Sequence, residues 1–244
     1  MKYSVWAQTD RGLKRQTNQD TFLIDRELAL FAVADGMGGH KGGEVASALA
    51  VQTIREVVSE SFEKDAGKRP LDLISDAFLE ASDRIYQVAQ MKPSLTGMGT
   101  TMVAILLRDN IVYVGNVGDS RAYLFSEGRL WQVSEDHSLM CEQLRSGILK
   151  ESDVADFASK NIITRSVGFE PKVQADLLFR PAKPGEIYLL CSDGVSGMLE
   201  DTDIERILTQ ANADRMVPDL IEQAKDAGGD DNITALLLSI ESLS

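Results

Sequence analysis

The sequence predicts an α+β fold: two mostly antiparallel sheets stacked on each other, with a helix pair on the outer face of each. Three observations carry this prediction. The apolar pattern runs in the order strands, two helices, strands, two helices, final strand. The central strands form a meander, whose short turns require antiparallel neighbours. Each helical stretch shows one apolar stripe, which is buried only when a sheet covers it. A doubly wound parallel sheet would need strand and helix to alternate strictly, and they do not.

The elements follow in chain order. Tyr3-Val5-Ala7, Phe22-Ile24 and Leu28–Ala34 are short apolar runs with turn residues between them, and read as strands. Ala46, Leu49, Ala50, Ile54, Val57, Val58 and Phe62 recur at helical spacing. A loop over Glu63–Pro70 then leads into a second stripe, Leu71, Ile74, Phe78, Ala81, Ile85 and Val88. The two helices are expected to pack antiparallel on one sheet face. Strands resume at Thr100–Leu107, Ile111–Val117, Arg121–Phe125 and Leu130–Val133, with Asp109-Asn110 and Glu127-Gly128 as turns. Residues 137–165 are polar, irregular and partly helical, and read as an inserted flap. Strands at Val173–Phe179 and Ile187–Cys191, helices around Ile204–Leu208 and Met216–Ala224, and a strand at Ile233–Ile240 complete the chain.

Composition narrows the function. With 244 residues, 43% apolar and 26% charged, the chain has the balance of a globular protein, and one domain over 1–244 is expected. The formal charge of −13 repels nucleic acid and anionic membrane alike, so neither is expected as a partner. No stretch approaches the roughly 18 apolar residues of a membrane span. The N-terminal residues enter strand-like alternation directly, without the pattern of a signal peptide. Two cysteines, Cys141 and Cys191, make no disulfide framework and point to free thiols in the cytoplasm. Two histidines, His40 and His137, are too few for a three-histidine zinc site, so a bound metal would be a hard ion held by oxygen. No apolar surface stripe demands a second copy, and a monomer is expected.

Five aspartates lie at strand ends, usually beside glycine: Asp20, Asp35, Asp119, Asp193 and Asp231. Singly, each reads as turn chemistry. Together, at one edge of a sandwich, they would repel one another unless divalent cations balanced them, and magnesium or manganese suits that ligand set. The run Asp35-Gly36-Met37-Gly38-Gly39-His40-Lys41-Gly42-Gly43-Glu44 follows a strand and precedes a helix, yet fits neither nucleotide-binding fingerprint. Its glycines let backbone pass close to a metal, with the Gly36 carbonyl as a possible ligand. Arg15, five residues before Asp20, has the fork geometry to clamp a phosphate.

Eight ordered motifs then carry a resemblance. They are Arg15-Gln16-Thr17-Asn18-Gln19-Asp20, Val33-Ala34-Asp35-Gly36-Met37-Gly38-Gly39-His40, Gly97-Met98-Gly99-Thr100-Thr101, Val117-Gly118-Asp119-Ser120-Arg121-Ala122-Tyr123-Leu124, Asp136-His137-Ser138, Ile163-Thr164-Arg165-Ser166-Val167-Gly168, Leu190-Cys191-Ser192-Asp193-Gly194-Val195 and Gly229-Asp230-Asp231-Asn232-Ile233-Thr234. The chain resembles the metal-dependent protein phosphatases of type 2C, in their short stand-alone bacterial form. The resemblance implies an αββα sandwich with the site at one edge and residues 137–165 as the family's flap. It implies two core metals, Mn2+ or Mg2+, contacted by Asp35 and the Gly36 carbonyl, with Asp193 and Asp231 beside them. Asp20 would act directly or through metal-bound water. Asp119, with Asp193, would match a third metal site, and Arg15 would hold the substrate phosphate.

The implied reaction is hydrolysis of phosphoserine or phosphothreonine in proteins by a hydroxide bridging two metals, with no phosphoenzyme. A cysteine phosphatase is excluded, because the C-x5-R position after Cys141 is Gly147 and after Cys191 is Gly197. Cys191, in an apolar strand, reads as core, and His137 as structural. Eukaryotic members place a histidine after the Asp-Gly pair, where this chain has Met37, so His40 becomes the candidate general acid, with a structural role for His40 and metal-bound water as the acid the alternative. The expected partners are phosphoserine and phosphothreonine proteins, including a Hanks-type kinase and its substrates. A non-catalytic phosphoprotein-binding module and a phosphatase of an anti-sigma-factor antagonist are the alternatives.

Overall fold

The computed structural model describes residues 1–244 apart from 65–66, 155–156, 158–161 and 244, with 39–41 and 151 described by backbone alone. In chain order the strands and helices are β1 (Lys2–Asp10), β2 (Asp20–Asp25), β3 (Leu30–Met37), α1 (Gly39–Lys64), α2 (Pro70–Met91), β4 (Gly99–Thr100), β5 (Met102–Arg108), β6 (Ile111–Val117), β7 (Arg121–Ser126) and β8 (Arg129–Gln132). They continue as α3 (Leu139–Arg145), β9 (Asp176–Pro181), β10 (Ile187–Cys191), α4 (Asp193–Ser196), α5 (Asp201–Gln210), α6 (Ala213–Asp226) and β11 (Ile233–Ser242).

The strands form two sheets, ordered β1-β11-β10-β7-β8 and β2-β3-β5-β6-β9, with β4 added beside β3. Among the described residues every strand pairing is antiparallel. Side-chain alternation sorts the apolar residues into three layers. On β3, Leu30 and Ala32 face α1 and α2, while Phe31 and Val33 face the other sheet. On β10, Tyr188 and Leu190 fill the space between the sheets, while Leu189 and Cys191 pack under α5 and α6. Cys191 is thus a core residue, fully buried and unpaired. The result is the αββα sandwich expected from the sequence. Each fully buried large side chain, such as Ile54 between α1 and its sheet, contributes about 1.5–3 kcal/mol by leaving water.

Some boundaries differ from the sequence reading, for physical reasons. β3 continues past Ala34 to Met37 because β4 pairs with it there, Gly36 opposite Thr100 and Met37 opposite Gly99. Asp35 therefore lies inside a strand, and Asp193 opens the short helix α4. Helix α1 starts at Gly39, seven residues before its apolar stripe, since glycine carries no side-chain signal. β9 starts at Asp176, not Val173, because the Gln174 carbonyl accepts a hydrogen bond from Arg165 Nη1 (3.0 Å) and leaves the ladder. Pro70 opens α2 at the position where its missing N–H costs nothing.

The two ends of the segment 137–165, read from the sequence as a flap, run side by side. Ser138 and Ile163 form a bridge, with Leu139 N–H donating to Ile162 O (2.8 Å) and Thr164 N–H to His137 O (2.9 Å). Among the described residues no helix is long and apolar enough to cross a membrane.

Candidate functional site

The pairing of β2 with β3 sets Asp20 directly opposite Asp35. Like charges at such a position destabilise a sheet unless something else balances them. The surrounding backbone holds Asp35 firmly. Its N–H donates to Thr101 Oγ1 (3.1 Å), and its carbonyl accepts from Thr101 N (2.9 Å) and Thr100 Oγ1 (2.7 Å). Thr101 Oγ1 also meets Ser120 Oγ at 2.6 Å, which ties Asp35 to the turn carrying Asp119.

The other sheet supplies the remaining groups from the ends of β10 and β11. Ser192 Oγ and Thr234 Oγ1 both donate to Asp20 Oδ2, at 2.8 and 2.6 Å. Asp193 follows Ser192 at once. Asp231 precedes β11 and accepts from Arg15 Nη2 at 2.5 Å. Arg15 rides on a segment held by the Gly229 carbonyl, which accepts from Leu13 N (2.8 Å) and Lys14 N (3.3 Å), and by the Asn232 side chain. The Asn232 amide donates to Arg11 O and Thr17 O (both 2.9 Å), and its Oδ1 accepts from Gln19 N (2.8 Å).

Asp119 sits in the β6–β7 turn. His137 braces that turn: Gly118 N–H donates to His137 Nδ1 (3.0 Å) and His137 N–H to Gly118 O (2.9 Å). With Nδ1 accepting, the ring carries its proton on Nε2, which faces Asp176 Oδ2 at 3.2 Å without an aligned hydrogen bond. Beside it, Arg121 grips Asp136 through both Nε and Nη2 and donates to Tyr123 Oη. The structure thus brings Asp20, Asp35, Asp119, Asp193, Asp231 and Arg15 to one edge of the sandwich. His40 lies in the first turn of α1, but its side chain is outside the described residues.

Electrostatically the cluster is overloaded with carboxylate. Burial, and then the charges of Asp20, Asp193, Asp231 and Asp119, push Asp35 well above the usual carboxylate range. Burial lifts Asp20 to about 6 against the hydrogen bonds from Thr234 and Ser192. Asp119 is lifted to about 7 by burial, with Asp193 and Asp136 adding. Burial and Asp231 raise Asp193, with Arg15 pulling the other way.

Two oxygens test whether this group suits a cation. Asp20 Oδ1 and Asp193 Oδ1 are buried without a hydrogen-bond partner. Buried carboxylate oxygens of that kind are costly, and a hard divalent cation is the partner that satisfies several at once. Among the described residues no three acidic, histidine or cysteine groups already close around a single point, so the fit rests on those two oxygens and the all-oxygen donor set. The residues present fit Mg2+ or Mn2+.

Gly36 and Gly43 pass in backbone contact. A Cβ on Gly36 would stand 2.0 Å from Gly43 O, and one on Gly43 would stand 2.5 Å from Gly36 O. Only glycine on both sides lets α1 press against β3 at the Gly36 carbonyl. Gly43→Ala is expected to lower stability by about 1–3 kcal/mol and to weaken Mn2+ binding, read by thermal melting and metal titration. An unchanged melt would remove the close approach as a requirement.

Two cavities open onto the cluster. One, about 510 Å³, is lined by Arg15, Asp35, Gly36, Met37, Asp193 and Asp231 among others. The other, about 660 Å³, shares Arg15, Asp193 and Asp231 and reaches Asp119. Sequence reasoning gave no role to Asn232, Ser192, Thr234 or the Thr100-Thr101 pair. Their signal was present, since all lie inside the quoted motifs, but short polar residues beside strands read as turn chemistry.

Comparison with known proteins follows the same line. A family model described as protein phosphatase 2C matches residues 11–237. The chain is 37% identical over 234 residues to the serine/threonine phosphatase stp of Listeria monocytogenes, spanning 94% of this chain and 93% of that one. Among solved structures, the serine/threonine phosphatase of S. agalactiae superposes with a TM-score of 0.88 at 33% identity, covering 98% of this chain and 100% of that one. The catalytic domain of the phosphatase PstP, solved with two manganese ions, gives a TM-score of 0.87 at 32% identity, over 98% of this chain and 99% of that one.

Proposed function

The chain belongs to the protein phosphatase 2C family, and on that premise we propose that it hydrolyses phosphoserine and phosphothreonine in proteins at the aspartate-lined edge of the sandwich. The observation that carries this reading is the buried aspartate cluster with two unpartnered oxygens and one arginine at its rim. Asp35, Asp193, Asp231 and the Gly36 carbonyl would hold two divalent cations, Mn2+ or Mg2+. Asp20 would assist directly or through water, and Asp119 with Asp193 would hold a third. When bound, such ions supply Lewis acidity that generates a hydroxide nucleophile near neutral pH and offsets charge on the phosphoryl oxygens.

The chain's own groups do the rest. Arg15, about half exposed, is free to swing its fork from Asp231 to a phosphate oxygen. Ser192 and Thr234 fix Asp20 through one oxygen, so the other stays aimed into the cluster. His40 would give a proton to the seryl or threonyl oxygen as it leaves. The likeness to a bacterial serine/threonine phosphatase of matching length supports a role opposite a Hanks-type kinase. The free Cys141 and Cys191 thiols support a reducing, cytoplasmic setting, and we take the unit to be a monomer.

The test is turnover of a phosphothreonine peptide and of an autophosphorylated kinase at neutral pH, with Mn2+, Mg2+ or EDTA. Metal-dependent hydrolysis is expected. It should be lost in Asp193→Ala and weakened mainly through KM in Arg15→Ala. Intact phosphopeptide binding with no turnover under either metal would overturn catalysis and leave a phosphoprotein-binding module.

A further inference from the structure

Phe169 is 64% exposed, yet it does not sit on a loose loop. Val167 is bridged to Thr100 by two hydrogen bonds, 2.9 and 2.8 Å. Ser82 of α2, fully buried, accepts from Gly168 N–H (2.9 Å) and donates to Glu170 O (2.7 Å), clamping the chain on both sides of Phe169. Gly168 takes φ +93°, and a Cβ there would stand 2.1 Å from Ile85 Cγ2, so the turn presses on α2 and throws the next side chain outward. A single exposed phenylalanine needs no explanation. One held rigidly at the rim of a catalytic cleft does.

Phe169 lines a cavity of about 440 Å³ with Met37, Ile163, Val173 and Lys172. Met37 and Ile163 also line the cavity that contains Asp35 and Arg15, so the two spaces adjoin across these side chains. Among the described residues, Lys172 forms no ion pair with a carboxylate, although Glu170 lines the same cavity and a neighbouring cavity brings Asp76, Glu80 and Asp83 to its other side. Arg165, by contrast, is engaged by Asp176 at 2.6 Å.

We propose that this groove is a subsite for the substrate chain beside the phosphorylated residue, taking an apolar side chain against Phe169 and Val173 and a carboxylate at Lys172. The inference rests on the phosphatase reading. Its register follows from strand geometry: Gly36 pairs with Thr100, and Thr100 bridges to Val167. Two such steps span about 10 Å, and an extended peptide advances about 3.3 Å per residue. Phe169 lies two residues beyond Val167, so the apolar residue lies roughly three to five positions from the phosphothreonine.

The experiment compares kcat and KM for phosphothreonine peptides carrying leucine or glycine at each flanking position, and for an aryl phosphate, with Mn2+. Leucine at one position in that range should raise kcat/KM about tenfold over glycine, mostly through KM. Phe169→Ala should erase that preference and leave the aryl phosphate untouched, while Phe169→Leu restores it. Lys172→Glu should turn a preference for a neighbouring acidic residue into one for a basic residue. Equal effects of Phe169→Ala on all substrates, or none on any, would overturn the subsite. If the wild type hydrolysed neither substrate class, the phosphatase reading would fail instead. The groove would then be judged by peptide anisotropy, supported by leucine-dependent binding lost in Phe169→Ala and overturned by its persistence.

Discussion

Asp35→Asn is expected to abolish hydrolysis, by about 10³-fold or more, while making the metal-free protein more stable. The two effects have one cause. Asp35 faces Asp20 across the β2–β3 ladder and lies among Asp193, Asp231 and Asp119, so burial and repulsion both oppose its charge. An amide keeps the shape, stays neutral without taking up a proton, and can donate to the Asp20 and Asp193 carboxylates against which Asp35 lies. Satisfying such a buried acceptor contributes about 1–3 kcal/mol, and each kcal/mol raises Tm by about 2–4 °C in a domain of this size. Metal binding then loses a charged ligand. Melting in EDTA and in Mn2+, alongside turnover, checks both halves. A variant that was inactive and also less stable without metal would show that Asp35 is needed for the fold, and the account of strained charge would fall.

The metal-free protein should lose stability as pH rises from about 4 to about 7, and Mn2+ should remove that loss. Asp20 at about 6, Asp119 at about 7, and Asp35 and Asp193, both raised, bind protons in the folded state that the unfolded chain has already released. Stability rises with pH only where the unfolded state binds more protons, so here it falls. Paired carboxylates with lowered pKa, such as Asp10 and Asp25, act in the opposite sense but below this window. His137 opposes the trend: burial lowers its pKa, so its contribution grows with pH towards its ordinary value. That is one group against four. Cations displace the protons and turn repulsion into ligation, so stability should rise by RT ln(1 + [L]/Kd), about 2.7 kcal/mol at a hundredfold excess over Kd. A flat melting profile in EDTA across this range would show that the cluster is not strained.

The layers were legible in the sequence because two periodicities wrote them. Leu30 through Val33 alternate between two cores; of the α2 stripe read at Leu71, Ile74, Phe78, Ala81, Ile85 and Val88, the middle four are buried and Val88 packs against them, while Leu73 and Ala77 take the place expected for Leu71. The aspartates stood out because strand ends converge in space at a sandwich edge. What stayed hidden depends on contacts across the chain. Asn232 organises residues 11–19 from more than two hundred positions away. Thr101 links Asp35 to Ser120 with an ordinary hydroxyl. The start of α1 was invisible because Gly42 and Gly43 are placed for close packing, not for helix formation. Nothing in the spacing around Phe169 signals its exposure, which follows from Ser82 and Ile85 on a distant helix.

Asp20 belongs to one sheet, and the hydroxyls that hold it belong to the other. The seam between the halves of the molecule and the proposed chemical centre are therefore the same place. The sheets cannot slide or part at this edge without dismantling the site, and the site cannot be lost by fraying of a surface loop alone. Ions bound there would act as rivets as well as reagents, so occupancy is sensed along both sheets. Heating such a protein should not pass through a state that keeps its framework and has lost its centre: the two would disappear in a single cooperative event.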